Sequence, residues 1–190
     1  MSFSRAFVHP EHTEPFWCSM LSDSDYRVPT FWQNWLFDTG SLTDRLLTVS
    51  NGNLSVKLVK QRLQQPRLSE RQALKLENRL QALVREVVLI GMGQPWVFAR
   101  SIIPLSTLTG RLRKLKWLDN RPLGALLFND STMRREPMQV ANFQLSTPTL
   151  GNHFGAAIDP LWGRRSIFRL DKKPLLVSEI FLHPFQLYNE

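Results

Sequence analysis

The period of the apolar positions changes along the chain. Behind Pro29 and Thr30, the aromatic-rich stretch 31–37 predicts a capped helix that ends near Gly40. Ser41 then stands as an N-cap with Asp44 three residues on, the capping-box spacing, so Leu42 opens a second, short helix. From Leu54 the period drops to two. Leu54, Val56 and Leu58 alternate with polar or charged residues, as in a strand. Ser69 and Gln72 predict the cap of another short helix running through Leu76.

The clearest hairpin follows. Residues 82–90 are rich in β-branched side chains, Gly91-Met92-Gly93 supplies a turn, and residues 95–103 return until Pro104 stops them. Leu105, Leu108, Leu112, Leu115 and Leu118 then recur at helical spacing behind the cap candidates Ser106 and Thr107. The other face of that helix carries Arg111, Arg113, Lys114 and Lys116. Pro122 sits where the first residue of a helix over 123–128 is expected. Two more strands, 165–170 and 174–182, flank the tight turn Asp171-Lys172-Lys173. Helices come first and strands joined mostly by hairpins follow. The order predicts an α+β fold with a single antiparallel sheet and helices packed on it, not a parallel βαβ sheet. No loop-rich stretch separates two segments of domain size. Residues 1–190 therefore read as one domain, with 1–28 as an N-terminal extension and 142–159 as a long loop or lid.

Composition narrows the class. A hydrophobic fraction of 43% is enough for a packed core. Cys18 is the single cysteine, so neither an intrachain disulfide nor a cysteine-based metal cluster can form, which suits a reducing compartment. His9, Pro10, Glu11, His12 and Glu14 interrupt the N-terminal stretch and leave no apolar core for a signal peptide. No apolar run approaches the ~18 residues of a membrane span. A cytoplasmic, monomeric protein is expected. The net charge of +8 favours anionic partners. The basic residues are dispersed, without the aromatic platforms of RNA-binding motifs, so no nucleic-acid partner is expected.

Familiar catalytic strings are absent: no glycine-rich phosphate loop, no H-E-x-x-H and no G-x-S-x-G. His9, His12, His153 and His183 are scattered and none pairs at metal-ligand spacing. Two ionisable residues stand out instead. Arg85 alternates with Leu83 and Val87, and Glu179 with Val177 and Phe181. A charge on an apolar strand face is costly unless it is paired or binds something. Glu86, between Val84 and Val88, passes the same test. Leu42 and Leu123 sit at helix starts, where free N–H groups suit carboxylates. Arg134-Arg135 and Arg164-Arg165 are paired cations that fit either phosphate binding or a place beside a strand.

Five strings carry a resemblance: Gly93-Gln94-Pro95-Trp96, Ile103-Pro104-Leu105-Ser106-Thr107-Leu108, Arg121-Pro122-Leu123-Gly124, Leu161-Trp162-Gly163-Arg164-Arg165-Ser166, and Lys173-Pro174-Leu175-Leu176 through Glu179-Ile180-Phe181-Leu182. In order and spacing they resemble the bacterial chorismate pyruvate-lyases of ubiquinone biosynthesis, from about Thr30 to Tyr188. The resemblance implies an enzyme that splits chorismate into 4-hydroxybenzoate and pyruvate, without metal or other cofactor. It carries the ligand-binding arginine onto Arg85, the acidic residue onto Glu179, and two backbone contacts onto Leu42 and Leu123. The family commonly has Met where Leu42 stands, a departure of small consequence where a backbone N–H makes the contact. Arg85 would hold the ring carboxylate, and Glu179 the ring hydroxyl. Glu179, buried without a basic partner, would donate a proton or hydrogen bond as well as accept one. Arg100 and Arg165 are further candidates, for the enolpyruvyl carboxylate. The alternative is a non-catalytic sensor domain, because the effector domains of some transcription regulators share this fold. About thirty residues precede the matched region, too few for the DNA-binding domain such regulators carry.

Overall fold

The computed structural model describes residues 14–19, 28–143 and 161–189. Eight strands form one antiparallel sheet: β1 (Cys18–Ser19), β2 (Leu54–Gln64), β3 (Ala82–Gly91), β4 (Gln94–Pro104), β5 (Arg134–Arg135), β6 (Gln139–Phe143), β7 (Leu161–Leu170) and β8 (Lys173–Phe181). Their order is β1-β6-β7-β8-β4-β3-β2, with β5 paired to β7. The helices are α1 (Thr30–Leu36), α2 (Leu42–Val49), α3 (Leu68–Leu74), α4 (Leu123–Phe128) and α5 (His183–Asn189), plus a 3-10 helix over Gly110–Trp117. The sequence pattern's α+β fold is the observed one. No helix among the described residues is long and apolar enough to cross a membrane.

Two corrections concern helix chemistry. The third helix is not capped by Ser69 and Gln72. It starts at Leu68, where the Glu70 carboxylate accepts the Arg67 N–H at 2.8 Å. The leucine-spaced segment after β4 is not a continuous α-helix either. Leu105 falls in a turn and is 44% exposed, and the helix that follows is 3-10. Leu112, Leu115 and Leu118 are spaced by three, which suits three residues per turn, and all three are buried.

The β3–β4 hairpin turns on Met92 and Gly93, both at positive φ. Gly91 has a separate role. A Cβ there would lie 2.1 Å from the Trp96 ring, so only glycine lets the indole pack across the strand end. Trp96 joins Trp32, Trp35, Phe181 and Phe185 in the largest core cluster, between α1, α5 and the sheet. A second cluster packs the 3-10 helix and α4 against the same face, through Leu112, Leu115, Leu127, Phe168 and Leu175. The face that carries most helices therefore has an aromatic core at one end and an aliphatic core at the other, and a polar hollow lies between them.

Candidate ligand-binding site

Two neighbouring rows of residues cross this face. One runs Arg85 on β3, Ser101 on β4, Val177 on β8 and Ser166 on β7. The next runs Val87, Ala99, Glu179 and Arg164. Ala99 and Ser101 put small side chains in the middle of the sheet and leave a hollow. Charged groups stand at its two ends, Arg85 on one side and Glu179 on the other, two strand spacings or roughly 10 Å apart at the backbone. Gly40, Leu42 and Thr43 at the start of α2, and Pro122, Leu123 and Gly124 at the start of α4, form the roof. A Cβ on Gly124 would stand 3.0 Å from the Thr43 hydroxyl, so glycine lets the two helix starts close together over the hollow. The first N–H groups of each helix lack intrahelical partners.

Arg85 is 2% exposed. Its Nη2 donates to the carbonyls of Asp119 (2.7 Å) and Arg121 (2.8 Å), which fixes the guanidinium against the loop before α4. Its Nε is buried and, among the described residues, has no hydrogen-bond partner. Burial pushes its pKa down to about 10, so it stays charged at neutral pH. A buried donor without an acceptor costs free energy that an incoming anion recovers.

Glu179 is not a lone carboxyl. Arg164 Nε donates to it at 2.7 Å, and Arg164 is itself buried, with Nη1 donating to the carbonyls of Trp35 and Asp38. The sequence-based expectation of a buried acid without a basic partner is therefore overturned. Glu179 and Arg164 are direct cross-strand partners, and the carboxylate accepts the guanidinium's hydrogen bond across the strand pair. Arg135 lines the hollow beside them. Its Nε donates to Ser166 Oγ and its Nη1 to the Thr39 carbonyl, each at 3.0 Å, and its guanidinium lies 5.0 Å from the Phe168 ring centroid. Burial, and then the charge of Arg164, bring its pKa down to about 10. Three guanidiniums and one carboxylate thus line the hollow, an excess of positive charge that suits a ligand with more than one negative charge.

Leu42, Arg85, Leu123 and Glu179 all line this one hollow. Arg100, Arg165 and Glu86 do not. Each lies one residue off the rows above, and a one-residue offset in a strand turns the side chain to the other face of the sheet. There Glu70 holds Arg100 through Nε at 2.6 Å and Nη2 at 3.1 Å, and Glu86 completes the cluster. Arg165 donates to Gln139 (2.7 Å) and Ser69 (3.2 Å), with its guanidinium 4.6 Å from the Trp17 ring centroid. Neither can reach a ligand in the hollow, which corrects their candidacy for the enolpyruvyl carboxylate. Arg164 and Arg135 hold the places on the correct face. The alternation Trp162, Arg164, Ser166, Phe168 carries the same signal that singles out Arg85. Arg135, on a two-residue strand, gives no such signal.

A broader, solvent-open depression lies outside α4, between Arg111, Lys114, Arg121 and Asp130. Its most prominent cation, Arg111, is already engaged by Asp130 and Asp171. Among the described residues no group of three His, Cys, Asp or Glu is placed to hold a metal ion. His183 opens α5, whereas His9, His12 and His153 lie outside the described residues. Of the stretch 142–159 read as a loop or lid, Asn142 and Phe143 end β6 and the remainder lies outside the described residues.

A helix-roofed antiparallel sheet of this kind is the fold of effector and ligand-binding domains of bacterial transcriptional regulators. The crystal structure of the effector domain of PhnF from Mycobacterium smegmatis superposes with a TM-score of 0.53 over 77% of this chain and 91% of its own, at 14% identity. Residues 17–190 match the chorismate lyase family. A probable chorismate pyruvate-lyase of Photobacterium profundum is 38% identical over 90% of this chain and 92% of its own length. One of Pseudomonas fluorescens is 43% identical over 78% of each. The chain belongs to the chorismate lyase family.

Proposed function

We propose that this protein converts chorismate into 4-hydroxybenzoate and pyruvate, and that the reaction supplies the aromatic ring of ubiquinone as the first committed step of its synthesis. The observation that carries the reading is the hollow itself, with a desolvated arginine at one end, an ion-paired carboxylate at the other and small side chains between. A para-substituted ring spans such a hollow, with its carboxylate on Arg85 and its hydroxyl toward Glu179. A planar guanidinium matches two carboxylate oxygens, and N–H groups at Leu42 and Leu123 complete their shell.

Chorismate is a dianion, and loss of pyruvate makes its ring aromatic. The ether bond to the ring breaks, the carbon bearing the hydroxyl loses its proton, and the methylene of the side chain gains one to become the methyl of pyruvate. Atoms and electrons balance within the substrate, so the reaction needs no external oxidant or reductant. The protein must then bind the dianion, hold the side chain in a reactive pose and stabilise the charge that moves. Glu179, as an acceptor for the ring hydroxyl, orients the ring and offsets the positive charge that develops on the neighbouring ring carbon as the ether departs from it. Arg164 keeps the carboxylate in position.

The test is to incubate the purified protein with chorismate, without added metal or cofactor, and to measure both products. Equal amounts of 4-hydroxybenzoate and pyruvate support the reading. A folded protein that binds 4-hydroxybenzoate yet leaves chorismate intact would overturn it in favour of a sensor domain.

A further inference from the structure

Among the described residues, two arginines in the hollow, the buried Arg85 and the part-buried Arg135, have no carboxylate partner at ion-pair distance, and they stand on different strands. Arg85 is fixed by the loop before α4, and Arg135 by Ser166 and the loop before α2. The third arginine, Arg164, is neutralised by Glu179 between them. A monocarboxylate needs one such receptor, and a dicarboxylate needs two. Resting on the proposed reaction, we infer that Arg135 is the receptor for the second carboxylate of the substrate, the one on its enolpyruvyl side chain, and so distinguishes substrate from aromatic product.

The chemistry at Arg135 supports this role. Its Nε and Nη1 are spent on neutral acceptors, Ser166 Oγ and the Thr39 carbonyl, which orient the guanidinium without cancelling its charge. Among the described residues its remaining nitrogen, Nη2, meets the Met138 sulfur at 3.9 Å, a weak acceptor that a carboxylate oxygen readily displaces. The Phe168 ring stacks against the guanidinium and limits its movement. Ser166 occupies the same row as Arg85, and Arg164 the row of Glu179, so a ring lying across Ala99 and Ser101 carries its side chain toward Arg135 while its own carboxylate stays on Arg85. Once the ether breaks, the departing three-carbon fragment is held by Arg135 alone, and the aromatic product by Arg85.

The test compares two ligands on Arg135→Gln and Arg135→Lys, with folding checked by circular dichroism. For Arg135→Gln, kcat/KM for chorismate should fall roughly 10- to 100-fold, the range for one lost charge-assisted hydrogen bond. Inhibition by 4-hydroxybenzoate should change by less than about 3-fold, since the product has no second carboxylate. Arg135→Lys keeps the charge and loses the fork, so it should shift the same ratio in the same direction by a smaller factor, about 5-fold. A parallel loss for both ligands, or an unchanged ratio in whichever variant folds, would overturn the assignment. If the wild-type protein binds but does not turn over chorismate, the same comparison is read from calorimetric dissociation constants for chorismate and 4-hydroxybenzoate. In that case the proposed reaction fails, and the role of Arg135 is still decided.

Discussion

Arg85 concentrates the cost and the use of the hollow in one side chain. Its guanidinium is desolvated, its Nε has no partner among the described residues, and two main-chain carbonyls hold it in place. Arg85→Ala should weaken 4-hydroxybenzoate binding by about 3 kcal/mol, or about 10²-fold in Kd. Arg85→Lys should recover part of that, because a point charge cannot reproduce the fork. Calorimetric titration of folded variants checks both. Glu179→Gln should lower both stability and activity. Gln keeps an acceptor but removes the charge opposite the buried Arg164, at a cost of about 1–3 kcal/mol in urea unfolding. If Glu179 only orients the ring hydroxyl, turnover should fall about tenfold or less. A loss of roughly 10²–10⁴ would assign its charge a direct part in the transition state, as electrostatic stabiliser or as proton carrier.

The roof and floor of the site come from different elements, and the opposite face of the sheet is built for stability. α3 docks there through Leu74, packed with Ala82, Val84, Ile102 and Leu176, and through Glu70, which bridges the Arg67 N–H and Arg100. Glu70→Ala removes a cap and one partner of a buried guanidinium. It should cost about 2–4 kcal/mol in urea unfolding and leave Kd for 4-hydroxybenzoate unchanged, because the sheet separates α3 from the hollow. A loss of affinity without a loss of stability would contradict the division of the two faces. Ion pairs near the 3-10 helix contribute to the acid limb. Arg111 lowers the pKa of Asp130 and of Asp171, in each case chiefly through side-chain hydrogen bonds. The folded pKa values lie below the unfolded ones, so this stabilisation is complete above about pH 4, the unfolded aspartate value, and is lost as pH falls through the folded values. Arg111→Ala should flatten the acid limb of a thermal-stability profile between about pH 4 and pH 2.

For the molecule as a whole, the hollow is a store of unfavourable desolvation that a ligand relieves. A product bound at 100 times its Kd should stabilise the fold by about 2.7 kcal/mol, which for a chain of this size raises Tm by roughly 5–10 °C. At the same product concentration the shift should fall to about 1–2 °C in Arg85→Ala. Turnover should also survive exhaustive EDTA treatment, as expected for an elimination that balances within its substrate. Activity lost with EDTA and restored by one divalent ion would refute this.

Local pattern determined a great deal by itself. Period-two alternation and the Met92-Gly93 turn specify the β3–β4 hairpin, and Ser41 with Asp44 starts α2 at Leu42, with the Asp44 N–H donating to Ser41 Oγ at 3.3 Å. Alternation also marks Arg85 and Glu179 as charges on an apolar face, because strand geometry alone sends every second side chain to one side. Partnership is what alternation cannot supply. Glu179 meets Arg164 only because β7 and β8 pair in a particular register, and Arg135 enters the hollow only because a two-residue strand docks on β7. Arg100 and Arg165 read as equally charged strand residues, yet register places them on the far face with Glu70 and Gln139. Charge, period and caps are local properties of the chain. Which charges meet depends on contacts between residues up to 129 positions apart, such as that of Arg164 with the Trp35 carbonyl, and those exist only once the sheet has assembled.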